Sequence, residues 1–207
     1  MENSIIILAG GTSKRLGKEK GLVALAGKPL ILHVLKRIKD VAKETIVVVS
    51  SEVQKENFRK IMGSAARIVV DKFNVRSPLV GALTGFEAAS GEKSLLLSCD
   101  TPFVSREIAL FLLDVCRGKA AAIPRWPNEK IEPLQAAYDT EMSLEASKEA
   151  LKEGKLDLHS MISKLKGVRY ISTLVIKEFD SEMLTFFNIN TPVDLKKAER
   201  IISQKLI

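Results

Sequence analysis

The chain has 207 residues and a formal net charge of +7, a length that fits one domain. A hydrophobic fraction of 46% with 28% charged residues excludes a disordered, collagenous or coiled-coil protein, and no apolar run approaches the roughly 18 residues of a membrane-spanning helix. Two cysteines, Cys99 and Cys116, are too few for a disulfide framework, while 5% aromatic residues and dispersed basic ones disfavour nucleic-acid binding.

Glu2 leads directly into the apolar run Ser4–Ala9, a buried strand ending in glycines. No basic region or small-residue cleavage site precedes it, so no secretory signal is expected, and a reducing cytoplasm is the expected location. Pro29–Val41 places Ile31, Leu32, Leu35 and Ile38 at helical spacing with a proline near the start. Thr45–Ser50 reads as a strand, Gln54–Met62 as a helix, Arg67–Val70 as a strand and Gly81–Ser90 as a helix. Ser94–Ser98, Ser105–Cys116 and Ala120–Pro124 continue as strand, helix and strand. Beyond Trp126 the pattern loosens. Leu134–Tyr138 reads as a strand, Leu144–Lys152 and Leu158–Lys166 as amphipathic helices, and Val168–Ile171 as a short strand. Thr191–Ser203 closes the chain as a helix with Asn190 or Thr191 as its cap. The alternation predicts an α/β fold: a single domain with an open, mostly parallel twisted sheet and helices on both faces. Such sheets bind ligands at the carboxyl ends of their strands.

Two loops at such ends stand out. Leu8-Ala9-Gly10-Gly11 continues through Thr12 to Gly21, with Lys14, Arg15, Lys18 and Lys20 beside the glycines. Successive backbone amides there can form an anion-binding concavity, or the segment is a plain turn with a solvated basic face. It is neither a Walker A loop nor G-x-G-x-x-G. The second loop is Ser98-Cys99-Asp100-Thr101-Pro102-Phe103. Asp100 can hold Mg²⁺ together with substrate phosphates, or it caps the turn that Pro102 follows.

Leu8-Ala9-Gly10-Gly11 through Leu16-Gly17, then Glu19-Lys20-Gly21-Leu22 and Gly27-Lys28-Pro29-Leu30, resembles the signature of the molybdenum cofactor guanylyltransferases. Cys99-Asp100-Thr101-Pro102-Phe103, Pro78-Leu79-Val80-Gly81 preceded by Asp71, and Phe187-Asn188-Ile189-Asn190-Thr191-Pro192-Val193-Asp194-Leu195 match further motifs in the family's order. Three places depart from the pattern: Glu19 for the usual Asp, Ser77 for Gly, and Ser50-Ser51 where Asn often follows the second strand. The resemblance implies a Rossmann-like nucleotidyltransferase fold, with residues 1–125 on the nucleotide side and 126–207 on the acceptor side. It implies Mg²⁺-dependent transfer of GMP from GTP to molybdopterin or its molybdenum form, with pyrophosphate leaving. The residues it implicates are Arg15 and Lys20 on the β- and γ-phosphates and Asp100 on the metal. The backbone of Leu8, Ala9, Gly10 and Gly11 would line the nucleotide, and Asp71 would contact the nucleoside. Asn188 and Asn190 stand either on the pterin side or in the turn that caps the last helix. Glu132-Pro133-Leu134-Gln135-Ala136-Ala137-Tyr138 resembles a family strand that lines the acceptor site. Relatives using GTP tend to read Leu-Ala-Gly-Gly, as here. Cofactor-biosynthesis proteins or molybdoenzymes are the implied protein partners.

Competing readings are a guanylyltransferase acting on adenosylcobinamide phosphate, a non-catalytic GTP-binding module that delivers cofactor, and a basic RNA-binding protein. His33 and His159 have no Cys or Asp at metal-ligand spacing. Cys99 lacks an activating histidine and reads as a buried thiol.

Overall fold

A computed structural model describes residues 2–13, 18–71, 73 and 75–205. Seven strands form the main sheet: β1 (Asn3–Leu8), β2 (Glu44–Val49), β3 (Arg67–Val70), β4 (Lys93–Ser98), β5 (Ala121–Arg125), β6 (Gln135–Asp139) and β7 (Val168–Ser172). Their order across the sheet is β7-β5-β6-β4-β1-β2-β3. All pairings are parallel except those of β6, which runs antiparallel between β4 and β5. The sheet therefore crosses residue 125, and the later part of the chain builds its middle as well as one edge.

Side-chain alternation along the strands sorts the core into two layers. Ile5, Ile7, Val47, Val49, Leu95 and Leu97 face α1 (Leu30–Arg37), α2 (Glu52–Met62), α4 (Arg106–Val115) and α7 (Thr173–Lys177). Ile6, Ile46, Val48, Leu96, Ala136 and Tyr138 face α3 (Pro78–Ala88), α5 (Thr140–Lys152) and α6 (Leu158–Ile162). A third cluster, including Leu25, Leu30, Phe103, Ile189 and Ala198, holds α8 (Pro192–Lys205) beside the β4 loop. No helix among the described residues is long and apolar enough to cross a membrane.

Several boundaries differ from the sequence expectation because capping side chains begin or end the helices. Ser77 accepts from the Val80 amide with Pro78 as the first helical residue, so α3 starts before Gly81. Asp139 likewise accepts from the Met142 amide, and α5 starts at Thr140 rather than Leu144. α6 stops at Ile162 because Lys164 and Leu165 bond back to Met161 and Ile162, tightening the chain out of α geometry. Thr191, not Asn190, caps α8: its hydroxyl accepts from the Asp194 amide while Asp194 accepts from the Thr191 amide. α7 and the short turn Leu184–Phe186 were not expected from the sequence.

Gly85 shows how closely α3 lies on the central strand. A Cβ there would collide with Cγ2 of Ile6, a fully buried β1 side chain. Gly85→Ala is expected to lose about 1–3 kcal/mol of stability by overpacking, although alanine is the better helix former. Thermal unfolding that shows an unchanged or higher melting temperature would contradict this packing account.

Candidate active site

The strand order reverses between β1 and β4, which is the switch point where open sheets form their crevice. Leu8 stands opposite Val48 on β2 and Ser98 on β4, so the three following loops open at one level. The first loop is pinned from both sides: the Ala9 amide donates to the Val48 carbonyl at 2.8 Å, and the Leu8 carbonyl accepts from the Cys99 amide at 3.1 Å. Beyond it, Ser50 Oγ donates to the Gly10 carbonyl at 2.9 Å. Gln54, buried on α2, accepts from the Ser50 amide at 2.8 Å. A Cβ on Gly10 would lie 3.2 Å from Ser50 Cβ and Ser50 N, so glycine permits this approach.

Asp100 follows β4 with its side chain only 7% exposed. Its Oδ1 accepts from Ser98 Oγ at 2.5 Å, and its Oδ2 accepts from Lys20 Nζ at 2.6 Å. The carboxylate thus meets side chains rather than a following backbone amide, which argues against the turn-cap reading of Asp100. Lys20 opens a 3₁₀ turn over Lys20–Leu22 and also donates to Asn190 Oδ1 at 2.5 Å. The Ile189 amide donates to the Asp100 carbonyl at 3.0 Å, which fastens the C-terminal motif to the same loop.

Two cavities meet at this ion pair. One, about 330 Å³, is bordered by Gly10, Gly11, Ser50, Asp71, Arg76 and Pro78 among others. The second, about 380 Å³, is bordered by Thr101, the segment 132–135, the segment 157–159, Phe186 and Asn188. Lys20, Pro78, Ser98, Asp100 and Leu134 border both. Gly10, Lys20, Asp71 and Asp100 therefore face one crevice, and Leu8 also lines it. Asp71 Oδ1 accepts from Thr84 Oγ1 at 3.2 Å and from the Phe73 amide at 3.1 Å.

Other expected residues are distributed differently. Ala9 is fully buried and lines neither cavity. Asn188 borders the second cavity, whereas Asn190 borders neither and holds Lys20 instead. Arg15 lies outside the described residues. Arg76 and Gln54 escaped the sequence reading. The signal for Arg76 is its place before the capped start of α3, and nothing local in the sequence marks Gln54.

The electrostatics narrow the chemistry. Burial pushes the Cys99 thiol well above the usual cysteine range, so it stays protonated and is a poor nucleophile. Burial likewise pushes Cys116 up to about 11. His33 Nε2 donates to the Leu25 carbonyl at 2.9 Å and is satisfied structurally. Among the described residues no group of three or more His, Cys, Asp or Glu side chains could hold a metal ion. Asp100 is the carboxylate common to both cavities.

An open sheet with its crevice at the β1/β4 switch, a glycine loop and one junction carboxylate is the architecture of a nucleotidyltransferase. The same fold occurs in 2-C-methyl-D-erythritol 4-phosphate cytidylyltransferase from Thermus thermophilus (TM-score 0.71, 20% identity, 98% of this chain and 100% of that chain covered). Residues 5–168 match the family model described as "MobA-like NTP transferase domain", and the chain belongs to that family of nucleotide-transferring enzymes. It is 34% identical over 198 residues to the Methanosarcina mazei protein named "Probable molybdenum cofactor guanylyltransferase", with 93% of this chain and 88% of that protein covered. The crystal structure of molybdopterin-guanine dinucleotide biosynthesis protein A from Archaeoglobus fulgidus is similar at a TM-score of 0.84 and 30% identity. That match covers 97% of this chain and 99% of the other.

Proposed function

We propose that this chain transfers GMP from GTP to the phosphate of molybdopterin or its molybdenum form. The observation that carries the reading is the meeting of two cavities at one Lys20–Asp100 pair, which suits two anionic substrates that must react end to end. GTP occupies the cavity of Gly10, Gly11 and Asp71, and the acceptor occupies the other. An acceptor phosphate oxygen attacks the α-phosphorus, the bond to the bridging oxygen breaks, and its electron pair leaves with pyrophosphate. The attacking oxygen is already anionic, so no strong base is needed. Catalysis then consists of positioning and charge stabilisation.

Lys20 supplies a cation to the leaving phosphates, and Asn190 orients it. Arg76 borders the nucleotide cavity as a second cation. Arg15 joins them on the strength of the motif resemblance alone. Asp71 meets the nucleoside, and the backbone of Leu8, Gly10 and Gly11 lines it. The donor set suits Mg²⁺, which takes one or two carboxylates plus substrate phosphates rather than an all-protein cage. Asp100 would hold it, and when bound it supplies charge neutralisation and a template for the phosphates. The reaction fits a reducing cytoplasm, in which the buried thiols of Cys99 and Cys116 stay free. Cofactor-biosynthesis proteins or molybdoenzymes are the partners expected to receive the product.

Purified protein with GTP and Mg²⁺ should form a guanine dinucleotide and pyrophosphate with molybdopterin, and should turn over little with adenosylcobinamide phosphate. Transfer to the cobinamide alone would overturn the assignment. Calorimetric titration should show GTP binding at least about tenfold tighter than CTP or ATP, because a base lacking the right donors leaves buried groups unpaired. Equal or tighter binding of CTP would contradict the guanine preference.

A further inference from the structure

Three carboxylates border the second cavity: Asp100, Asp157 and Glu132. Asp100 has both oxygens engaged, by Ser98 and Lys20. Asp157 does too: Oδ1 accepts from the Ser160 amide at 2.9 Å and Oδ2 from Ser160 Oγ at 2.8 Å, which commits it to capping α6. Glu132 is different. Its Oε1 accepts from Trp126 Nε1 at 2.7 Å, and Oε2 has no hydrogen-bond partner among the described residues. The surrounding turn is fixed by backbone bonds from Trp126 to Lys130, Glu129 to Trp126 and Glu132 to Pro124. Trp126 in turn meets Phe186 edge-on, with ring centroids 5.6 Å apart. A carboxylate held on one oxygen and open on the other thus stands on a cavity whose other walls include Pro133, Leu134, Leu158 and Phe186.

We infer that Glu132 reads the ring of the acceptor by accepting hydrogen bonds from its 2-amino-4-oxo edge, and so determines acceptor specificity. This inference rests on the molybdopterin reading above. A pterin presents two adjacent donors there, the exocyclic amine and the neighbouring ring N–H. An ionised carboxylate is an acceptor with four lone-pair sites and can serve both donors while keeping the indole bond. Such charge-assisted bonds are the strong ones. The apolar walls suit the faces of a flat ring, with few polar groups fixing its orientation. Guanine carries the same edge, but Glu132 borders the second cavity and not the nucleotide cavity. The acceptor phosphate then lies toward Lys20 and Asp100, and the ring toward Glu132.

The chain has one tryptophan, and it is bonded to the proposed reader, so its fluorescence reports occupancy. The probes are 6-hydroxymethylpterin and the matching 2,4-dioxo ring, 6-hydroxymethyllumazine, each added to protein saturated with GTP and Mg²⁺. Wild type should bind the pterin at least about tenfold tighter than the lumazine, since a site built for a donor rejects the analogue lacking it. Glu132→Gln keeps an oxygen for the Trp126 N–H but adds an amine facing the ligand's donors. It should lose the preference and raise KM for molybdopterin at least about tenfold, with KM for GTP within about twofold of wild type. A variant that keeps the preference, or one whose KM for GTP rises instead, overturns the assignment of Glu132, as does wild type that binds neither ring. Wild type that discriminates the rings through Glu132 yet transfers no GMP to molybdopterin supports the ring reading and sinks the proposed reaction alone.

Discussion

Replacing Lys20 by alanine is expected to lower GMP transfer by roughly 10²–10³-fold in a protein that still folds. In the structure its ammonium lies 2.6 Å from Asp100 Oδ2 and 2.5 Å from Asn190 Oδ1, at the junction of the two cavities. Among the described residues it is the cation that borders both cavities, so on the proposed reaction its loss removes charge stabilisation where negative charge accumulates. Its removal also leaves Asp100 with the Ser98 hydroxyl alone, which should cost about 1.5–3 kcal/mol of stability, the range for hydrogen bonds to charged groups. A domain stable by about 5–15 kcal/mol tolerates that loss. The two effects separate experimentally: rates are compared well below the variant's melting temperature, and Lys20→Arg is measured alongside. Arginine keeps the charge and should recover part of the rate. Wild-type turnover in a folded Lys20→Ala protein would make Lys20 an ordinary structural cation.

Asp100→Asn should separate binding from turnover. Asparagine keeps the shape, so its oxygen can still accept from Lys20 and its amine can still meet Ser98 Oγ. The melting temperature should therefore stay within about 4 °C of wild type, the shift that roughly 1 kcal/mol produces in a chain of this size. GTP should still bind through Lys20 and the glycine loop. Transfer should fall by about 10²-fold or more, because the anionic ligand proposed to hold the cation that neutralises the phosphates is gone. The variant should also need more Mg²⁺ for its residual activity, since hard cations prefer anionic oxygen. Normal transfer at low Mg²⁺ would remove Asp100 from the metal role. A large drop in melting temperature would show that the Lys20–Asp100 pair mainly holds the loops together.

The sequence made the site's two loops legible because both follow strongly apolar strands, and adjacent parallel strands must open at the same end. Ser4–Ala9 and Ser94–Ser98 needed only their glycines and Asp100 to mark them. The helix starts at Pro78 and Thr140 were less legible, because the caps Ser77 and Asp139 precede the apolar periodicity. The direction of Gln135–Asp139 was not readable at all. An apolar run between turns shows that a strand exists, and its alternation is the same whichever way the strand runs. The partnership of Lys20 with Asn190 spans 170 residues and arises only when the third core cluster seats α8 beside the β4 loop. That placement, rather than any local pattern, makes Asn190 a support for Lys20 and leaves Asn188 on the second cavity.

The antiparallel strand wedged between β4 and β5 dictates an order of assembly. β1 to β4 can pair as they leave the ribosome, but Ala121–Arg125 finds no neighbour until Gln135–Asp139, synthesised later, has docked on β4. At roughly 5–20 residues per second the nascent chain carries an unpaired β4 edge for roughly 2–8 seconds between Ser98 and Asp139, and an open apolar edge is where aggregation starts. Truncation after residue 125 would make that state permanent. Such a fragment should be insoluble rather than a working half-enzyme, although it would contain the glycine loop, Lys20, Asp71 and Asp100. The strand that borders the second cavity through Gln135 is thus also the wedge that joins the two parts of the sheet, and a chain that has not finished folding lacks that cavity as well as its sheet.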